Sequence, residues 1–220
     1  MQGIDVAQIF IVFIVLLFSL TVHEAAHAWT ADRLGDPTAR LLQRVSLNPM
    51  VHADLMGTVV FPLIAMIGNV PLLGWAKPVP VVTSRLRNPR RDFMLVAAAG
   101  PASNLVLAVL AAVGLKILVL MPSGTDGPEI ATPLAMFLIR LVGLNVTLAL
   151  FNLLPIPPLD GGNVARGLLP PAVAAKYDGL MRPYGFILLY ALLLSGVVNY
   201  LVLRPAGVLT SFLLSSVIAS

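Results

Sequence analysis

Two histidines and a glutamate interrupt a strongly apolar segment. His23 and His27 are four residues apart in Val22-His23-Glu24-Ala25-Ala26-His27, and residues at this spacing share one face of an α-helix. Both imidazoles can therefore reach one metal ion, and zinc is commonly bound by histidine nitrogens. Glu24 lies beside them, where it can take a proton from a metal-activated water. The pattern predicts the metal ligands and the general base of a hydrolytic site.

The same spacing also arises by accident, as two hydrogen-bonded histidines at a helix end. The apolar surroundings disfavour that alternative here. Ionisable groups inside a membrane helix are costly and usually mark a functional site.

A catalytic zinc ion normally has a third protein ligand. The chain has no cysteine, so histidine and the acidic residues are the candidates. Asp160 stands out because prolines at 155, 157 and 158 forbid a regular helix before it, while Gly161 and Gly162 allow a tight turn after it. Non-helical backbone beside membrane helices is tolerated only against protein or a watery cavity. Asp160 is the leading candidate, with a simple connecting loop as the alternative.

His52 is the remaining histidine of the three in the chain, and it offers a possible fourth ligand. A structural hydrogen bond is the preferred interpretation, because the metal of a hydrolase needs one position open for water.

The composition is that of an integral membrane protein. Apolar residues make up 58% of the 220 residues, charged residues only 11%, and the mean hydropathy is +0.93. A soluble domain needs roughly 25% charged residues to cover its surface. The lipid bilayer is therefore the expected environment. The net charge of +4 comes without a concentrated basic block, so we expect no nucleic-acid partner.

The predicted fold is an all-α polytopic membrane protein with about five to six transmembrane helices, each of about 20 residues. One domain covers residues 1–220, with a core at about 6–167 and additional C-terminal helices at 183–220. The expected spans are Val6–Trp29, Leu55–Leu73, Phe93–Met121, Pro133–Phe151 and Pro183–Leu203, with Ala206–Ser220 as a short and uncertain sixth.

Three segments together resemble the signature of the site-2 protease family of intramembrane zinc metalloproteases. They are His23–His27, Gly100-Pro101-Ala102-Ser103-Asn104, and Asn152 through Gly162. The segments Gly74-Trp75-Ala76-Lys77-Pro78-Val79 and Asn88-Pro89-Arg90-Arg91 further resemble the compact branch of the family, which lacks PDZ and CBS domains.

The resemblance implies a role for each matching residue. His23, His27 and Asp160 would bind Zn²⁺, Glu24 would be the general base, and Asn152 would hold substrate or the developing oxyanion. Asn104 would line the active-site cavity and contact substrate. Its alternative is a hydrogen bond between helices, because it follows small residues suited to close helix packing.

The segment Trp75–Val82 has the composition of an edge strand. Its prolines at 78 and 80 remove donors from one edge, while Lys77, Val79 and Val81 keep their N–H groups on the other. Such an edge can receive one extended peptide, and we expect a short membrane-associated β segment that clamps substrate. A proline-rich connecting loop is the alternative that composition leaves open, and the family resemblance favours the clamp.

The ligands can meet only if Leu55–Leu73 does not cross the membrane completely. Gly57, Pro62, Gly68 and Pro71 favour a re-entrant hairpin there. Residues 30–92 and 161–182 then lie on one side with 11 of the 14 Lys and Arg residues. The positive-inside rule makes that side the cytoplasm, so the active site should open to the cytoplasm from the inner or plasma membrane.

The sequence therefore predicts a zinc-dependent intramembrane endopeptidase. Its expected partners are membrane-anchored protein substrates, such as regulators or signal-peptide remnants, and a homo-oligomer remains open. A membrane metal-binding or transport protein is one alternative, although a transporter more often shows ionisable residues along a path or inverted repeats. A pseudoprotease that binds helices without cleaving them is the other.

Overall fold

The structure is a computed structural model that describes residues 6–68, 74–120 and 131–218. The described part is helical and contains no strand, which confirms the all-α class. A π-helical turn at Leu55–Val60 leads into α4, a 3-10 turn at Thr83–Arg85 precedes α5, and a second π-helical turn at Asn199–Leu203 precedes α9. The helices are α1 (Val6–Arg33), α2 (Thr38–Leu41), α3 (Pro49–His52), α4 (Phe61–Gly68), α5 (Pro89–Leu120), α6 (Ala131–Asn152), α7 (Asp160–Leu168), α8 (Pro171–Leu194) and α9 (Arg204–Ile218).

The described residues contain fewer candidate membrane spans than the sequence predicted. Within the described residues, α1, α5 and α6 are long and apolar enough to span a membrane. Helices α8 and α9 meet at an angle of 80° across a short break, so together they supply at most one further span. The expected span Pro183–Leu203 is interrupted because α8 ends at Leu194 and Gly196 follows with a φ of +74°. The described part thus has three or four candidate spans rather than five to six.

The expected span Leu55–Leu73 is a short helical segment in the structure. Its described part consists of a six-residue π-helical turn and the eight residues of α4, fewer than the about 20 that a crossing needs. The N–H of Trp75 donates to Gly57 O at 3.0 Å, so the chain returns to the place where the segment began. This out-and-back path agrees with a hairpin; residues 69–73, including Pro71, lie outside the described residues.

Three helical stripes form the centre of the bundle. Each stripe repeats every four residues, which keeps its members on one helix face. Small or polar side chains at the contacts allow the close approach typical of membrane helices. The stripes are Val15, Ser19, His23 and His27 on α1; Val96, Gly100, Asn104 and Ala108 on α5; and Leu141, Asn145 and Ala149 on α6, all of them buried.

The outer faces of these helices carry large apolar side chains. Phe10 on α1 is 63% exposed, and Leu110 and Ile117 on α5 are 59% and 54% exposed. In water such a surface would be a strong aggregation liability. On a membrane protein it is the surface that contacts lipid, as the composition indicated.

The chain between α1 and α5 begins and ends at the same end of the bundle. Arg87 N donates to Leu34 O at 3.1 Å. Next to this contact the buried carboxylate of Asp36 accepts hydrogen bonds from Thr38 N and Oγ1 and from Val82 N. The C-terminal end of α1 and the N-terminal end of α5 are thereby fixed side by side.

The predicted β segment is extended but forms no ladder. Its N–H groups at Trp75 and Lys77 donate to the carbonyl oxygens of Gly57 and His52, which belong to helical turns rather than to a neighbouring strand. Pro78 and Pro80 offer no donor to the opposite edge. The segment is therefore a single extended stretch held by separate hydrogen bonds.

The Asp36 carboxylate should contribute to stability in a pH-dependent way. Burial raises the pKa of the Asp36 carboxyl, but hydrogen bonds from Thr38 and Val82, helped by the charge of Arg85, outweigh it and hold the pKa below its ordinary value of 3.8. A depressed folded-state pKa gives stability that is complete above the unfolded pKa and is lost as the pH falls through the folded value.

We predict that Asp36→Asn lowers the free energy of unfolding in detergent by about 1–3 kcal/mol at pH 7, because the amide leaves a buried N–H without an acceptor. The difference from wild type should shrink below about pH 4. Denaturant titrations at pH 7 and pH 3 provide the measurement. Asp32→Asn is the matched control, since it breaks the exposed ion pair with Arg40 and should cost less than about 1 kcal/mol. Equal losses for the two variants would contradict the assignment.

Candidate active site

The two histidines project from α1 at one level of the bundle. His23 and His27 are 5% and 8% exposed, and their Nε2 atoms are 3.1 Å apart. His27 is six residues before the end of α1 and His23 is ten, which places them roughly 9 and 15 Å along the helix from its end. Both imidazoles thus lie inside the helical bundle.

Asp160 arrives at this level from the loop that follows α6. Its Oδ2 lies 3.1 Å from His23 Nε2 and 3.4 Å from His27 Nε2. The loop is folded tightly: a Cβ on Gly161 would collide with the carbonyl oxygens of Leu153 and Leu154. The glycine that follows the carboxylate therefore allows the proline-rich loop to pack on the first turn of α7.

Gly100 allows α5 to approach the two imidazoles. A Cβ at this position would lie 2.6 Å from His23 Nε2 and would also overlap His27 Nε2. The absent side chain leaves room where the ring nitrogens converge. The first glycine of Gly100-Pro101-Ala102-Ser103-Asn104 therefore has a steric role at the site.

Helix α5 also binds the second nitrogen of each ring. His27 Nδ1 lies 2.7 Å from Val96 O, and His23 Nδ1 lies 2.5 Å from Asn104 Oδ1. A carbonyl oxygen can only accept, so Nδ1 carries the proton in both rings. Both Nε2 lone pairs then point toward each other and toward Asp160.

The donor set fits a zinc ion. The three ligand atoms lie within 4.8 Å of one another, and the nitrogen–nitrogen and nitrogen–oxygen separations are 3.1–3.4 Å. Ligands about 2.0–2.1 Å from one tetrahedral zinc would be roughly 3.3 Å apart. Asp160 Oδ2 is buried and accepts no hydrogen bond within the described chain. With both rings neutral, two lone pairs and a carboxylate form a group that a cation would satisfy, and two imidazoles with one carboxylate suit zinc.

Glu24 contacts the extended segment. Its Oε2 accepts a hydrogen bond from Val79 N at 3.2 Å. The side chain is therefore next to the metal-binding group in sequence but is oriented by a different part of the chain.

The structure brings some of the predicted substrate contacts to the site and not others. Val79 reaches Glu24, but Lys77 N is bonded to His52 O, so the edge expected to receive substrate already carries internal bonds. Val81 lies further along the same segment. Asn152 ends α6 and donates to Leu148 O at 3.0 Å. The roles of Lys77, Val79, Val81 and Asn152 in substrate binding remain predictions.

The remaining polar candidates have structural partners. Both ends of the Asn104 amide are engaged: Oδ1 bonds His23 Nδ1, and Nδ2 donates to Asn145 Oδ1 across the bundle, as expected for the alternative of a hydrogen bond between helices. His52 is buried and its Nε2 lies 2.8 Å from Ser46 O. It is absent from the metal-binding group, in agreement with the preferred structural interpretation.

Sequence reasoning missed Ser19 and Asn145, which are completely buried behind Asn104. A signal was present: an asparagine in the middle of the apolar helix α6 needs a partner in the membrane. The sequence did not show which helix would supply that partner.

Comparison with known proteins gives one consistent result. Residues 11–194 match the model of peptidase family M50. YwhC of Bacillus subtilis (strain 168), named as a candidate zinc metalloprotease, is 41% identical over 191 residues, which cover 85% of this chain and 81% of YwhC. No solved structure matches the chain.

Rip2 proteins, which are named in the same way, are more distant. Rip2 of Mycolicibacterium smegmatis is 33% identical over 192 residues, covering 83% of this chain and 66% of that protein. Rip2 of Mycobacterium tuberculosis (strain ATCC 25618 / H37Rv) is 33% identical over 162 residues, covering 73% of this chain and 58% of that protein. Because the family model matches most of the chain, the chain belongs to peptidase family M50, the site-2 protease family of zinc metalloproteases.

Proposed function

We propose that this metalloprotease hydrolyses peptide bonds in or next to the transmembrane segments of membrane-anchored proteins. The observation that carries the proposal is the depth of the site. The zinc-binding group lies within a bundle whose outer surface is apolar, about 9–15 Å from the end of α1. A soluble polypeptide loop would have to leave water to reach it, whereas a membrane-anchored segment is already at that level.

The residues divide the reaction between them. His23, His27 and Asp160 would hold Zn²⁺, which supplies Lewis-acid assistance to the scissile carbonyl and to the attacking water. Glu24 takes the proton from that water and returns it to the leaving amine. The Val79 N–H holds the Glu24 carboxylate by one oxygen, which leaves the other oxygen available for the water.

The geometry favours this function over the two alternatives. A metal transporter needs a succession of binding positions along a path, and the described residues contain one group of three metal-binding side chains. A pseudoprotease needs no general base, yet Glu24 is present beside the ligands. The single closed ligand set with a carboxylate next to it is the arrangement of a hydrolase.

Substrate must be locally unwound, because a helix engages its carbonyl groups in its own hydrogen bonds. The extended segment Trp75–Val82 lies against Glu24 and is a suitable partner for the unwound, extended stretch of a substrate. Its inward edge is occupied at Trp75, Lys77 and Val79. The opposite edge presents the carbonyls of Pro78 and Pro80 and can accept N–H groups from an extended substrate.

The proposed orientation places the site toward the cytoplasm of the inner or plasma membrane. The end of the bundle where α1 ends and α5 begins carries most of the basic residues, with 11 of 14 in residues 30–92 and 161–182. Basic residues concentrate on the cytoplasmic side of membrane proteins. The hairpin that contains α4 would then enter the membrane from that side and return.

Replacing the base should separate chemistry from metal binding. We predict that Glu24→Gln lowers the cleavage rate by at least about 10²-fold and retains zinc, because glutamine can still accept from Val79 N–H but cannot take a proton. His23→Ala and Asp160→Ala should lose both zinc and cleavage. Zinc content per chain is measured beside mass-spectrometric mapping of cuts in a panel of single-span model proteins in liposomes. Cleavage by Glu24→Gln at the wild-type rate would refute the mechanism, and cuts confined to soluble loops would refute intramembrane action.

The hydrogen bond to Glu24 can be tested by removing its donor. We predict that Val79→Pro lowers the cleavage rate by about tenfold or more, since a hydrogen bond to a charged group contributes about 1.5–3 kcal/mol, and leaves the zinc content unchanged. Val79→Ala is the matched control because it keeps the N–H and should cleave normally. A folded, zinc-loaded Val79→Pro protein with wild-type activity would show that this donor has no role.

The topology can be tested by labelling, because the chain has no cysteine. We expect Arg40→Cys, which precedes the hairpin, and Ser84→Cys and Ala172→Cys, which follow it, to react with an impermeant maleimide only from the cytoplasmic side; all three positions are exposed. Leu120→Cys, at the far end of α5, should react only from the other side. Labelling of Arg40→Cys and Ser84→Cys from opposite sides would contradict the hairpin, and labelling of both only from the non-cytoplasmic side would contradict the orientation.

A further inference from the structure

A chain of buried hydrogen bonds extends from the metal site into the centre of the bundle. Asn104 Nδ2 donates to Asn145 Oδ1 at 2.7 Å, and Asn145 Nδ2 donates to Ser19 Oγ at 2.9 Å. Asn104, Asn145 and Ser19 are each 0% exposed. The chain thus connects His23 on α1 to α5, then to α6, and back to α1 one turn before His23.

The far end of this chain fixes its direction. Ser19 Oγ donates to Val15 O at 2.7 Å, and Asn145 Nδ2 also donates to Leu141 O at 2.9 Å. Backbone carbonyl oxygens can only accept, so the Ser19 hydroxyl hydrogen and the Asn145 amino group are committed to them. Asn145 must then present its carbonyl oxygen to Asn104.

The same reasoning carries the direction to the metal ligand. Because Asn145 offers only an acceptor, Asn104 must turn its amino group toward α6 and its carbonyl oxygen toward His23. That oxygen requires the proton of His23 to be on Nδ1 and leaves Nε2 as a lone pair. Without Asn145, Asn104 could rotate by half a turn and present a donor to Nδ1, which would oppose metal binding through Nε2.

We propose that Asn145, supported by Ser19, is a positioning residue that sets the orientation of Asn104 and thereby keeps His23 in the form that binds zinc. This proposal rests on the zinc site proposed above. Asn145 acts through Asn104: within the described residues its side chain bonds Asn104, Ser19 and Leu141 O rather than the ligand atoms themselves. Groups that orient a zinc-binding histidine typically change metal affinity by about 10–100-fold when they are removed.

The test measures zinc affinity by competition with a chelator in the full-length protein. Asn145→Leu keeps the side-chain size and removes both polar groups, and it should raise the zinc dissociation constant by about 10–100-fold. Asn145→Asp should stay close to wild type, because a carboxyl kept neutral by apolar surroundings still accepts from Asn104 and donates through its O–H. Thr147→Val is the control on α6, since Thr147 bonds only its own helix at Gly143 O, and its zinc affinity should not change.

A second readout follows the hydrogen bond at His23 directly. Labelling with ¹⁵N-histidine gives three rings, and the His27 Nδ1–H, bonded to Val96 O, serves as the internal reference. In zinc-loaded Asn145→Leu the Nδ1–H of His23 should shift and exchange faster with water, while that of His27 should not. A loss of thermal stability alone, as expected for simple packing between helices, would move neither zinc affinity nor this signal.

The outcomes separate the two levels of the proposal. If His23→Ala binds zinc as tightly as wild type, the proposed zinc site is wrong. If His23→Ala loses zinc while folded Asn145→Leu keeps both wild-type affinity and the wild-type His23 signal, the positioning role of Asn145 is overturned. Asn145→Ala is measured in parallel, so that a folding defect in the leucine variant leaves a second variant to decide. If neither Asn145 variant folds, the wild-type protein decides. Rapid exchange of the His23 Nδ1–H with water overturns the proposal, and slow exchange supports it.

Discussion

The whole arrangement depends on the cost of leaving a polar group unpaired in apolar surroundings. A buried hydroxyl or amide without a partner costs on the order of several kcal/mol, and no water is present in the hydrocarbon core to supply one. Two imidazoles therefore commit the chain to further polar groups, each of which needs its own partner. The hydrogen bonds of His27 end at the backbone of α5, and those of His23 end, through Asn104 and Asn145, at the backbone carbonyls of Val15 and Leu141. The metal site is thus the end of a network that closes on helix backbone.

The grouping of the candidate ligands follows in part from short-range geometry, which the sequence determines. Spacing of four residues places His23 and His27 on one face, and the prolines and glycines around Asp160 indicate a folded loop. The pairing of the loop with the histidines was an inference from chemistry and family resemblance, and the structure places Asp160 Oδ2 beside both rings. Asn145 could not be placed, because its partner depends on how α6 is rotated against α1 and α5. That rotation is set by packing of the whole bundle.

The errors in the fold have similar causes. Hydropathy alone counted the stretches at the C-terminal end as separate spans, whereas the structure bends the chain between α8 and α9 by 80°. The prolines at 78 and 80 predicted an edge strand, and the described structure has no strand there. The edge expected to receive substrate is the one that carries the N–H groups of Lys77, Val79 and Val81. The structure turns the edge with donors inward, toward Gly57, His52 and Glu24, and the tertiary fold rather than the local sequence decides this.

The ligands and the base are held in physically different ways. The imidazoles lie in the interface of α1 and α5, where Gly100 brings the helices close and a loss of packing would expose buried polar groups. Glu24 faces a segment that packs on α1 through Ala76 and is otherwise attached by single hydrogen bonds. Those at Trp75 and Lys77 contribute about 1 kcal/mol each, and the one from Val79 to the Glu24 carboxylate about 1.5–3 kcal/mol. Regions with few such contacts open locally at a much lower free-energy cost than packed helices. Under the proposed function, the segment beside Glu24 could therefore adjust to an extended substrate while His23, His27 and Asp160 keep their geometry, which is the combination that hydrolysis of an unwound helix would require.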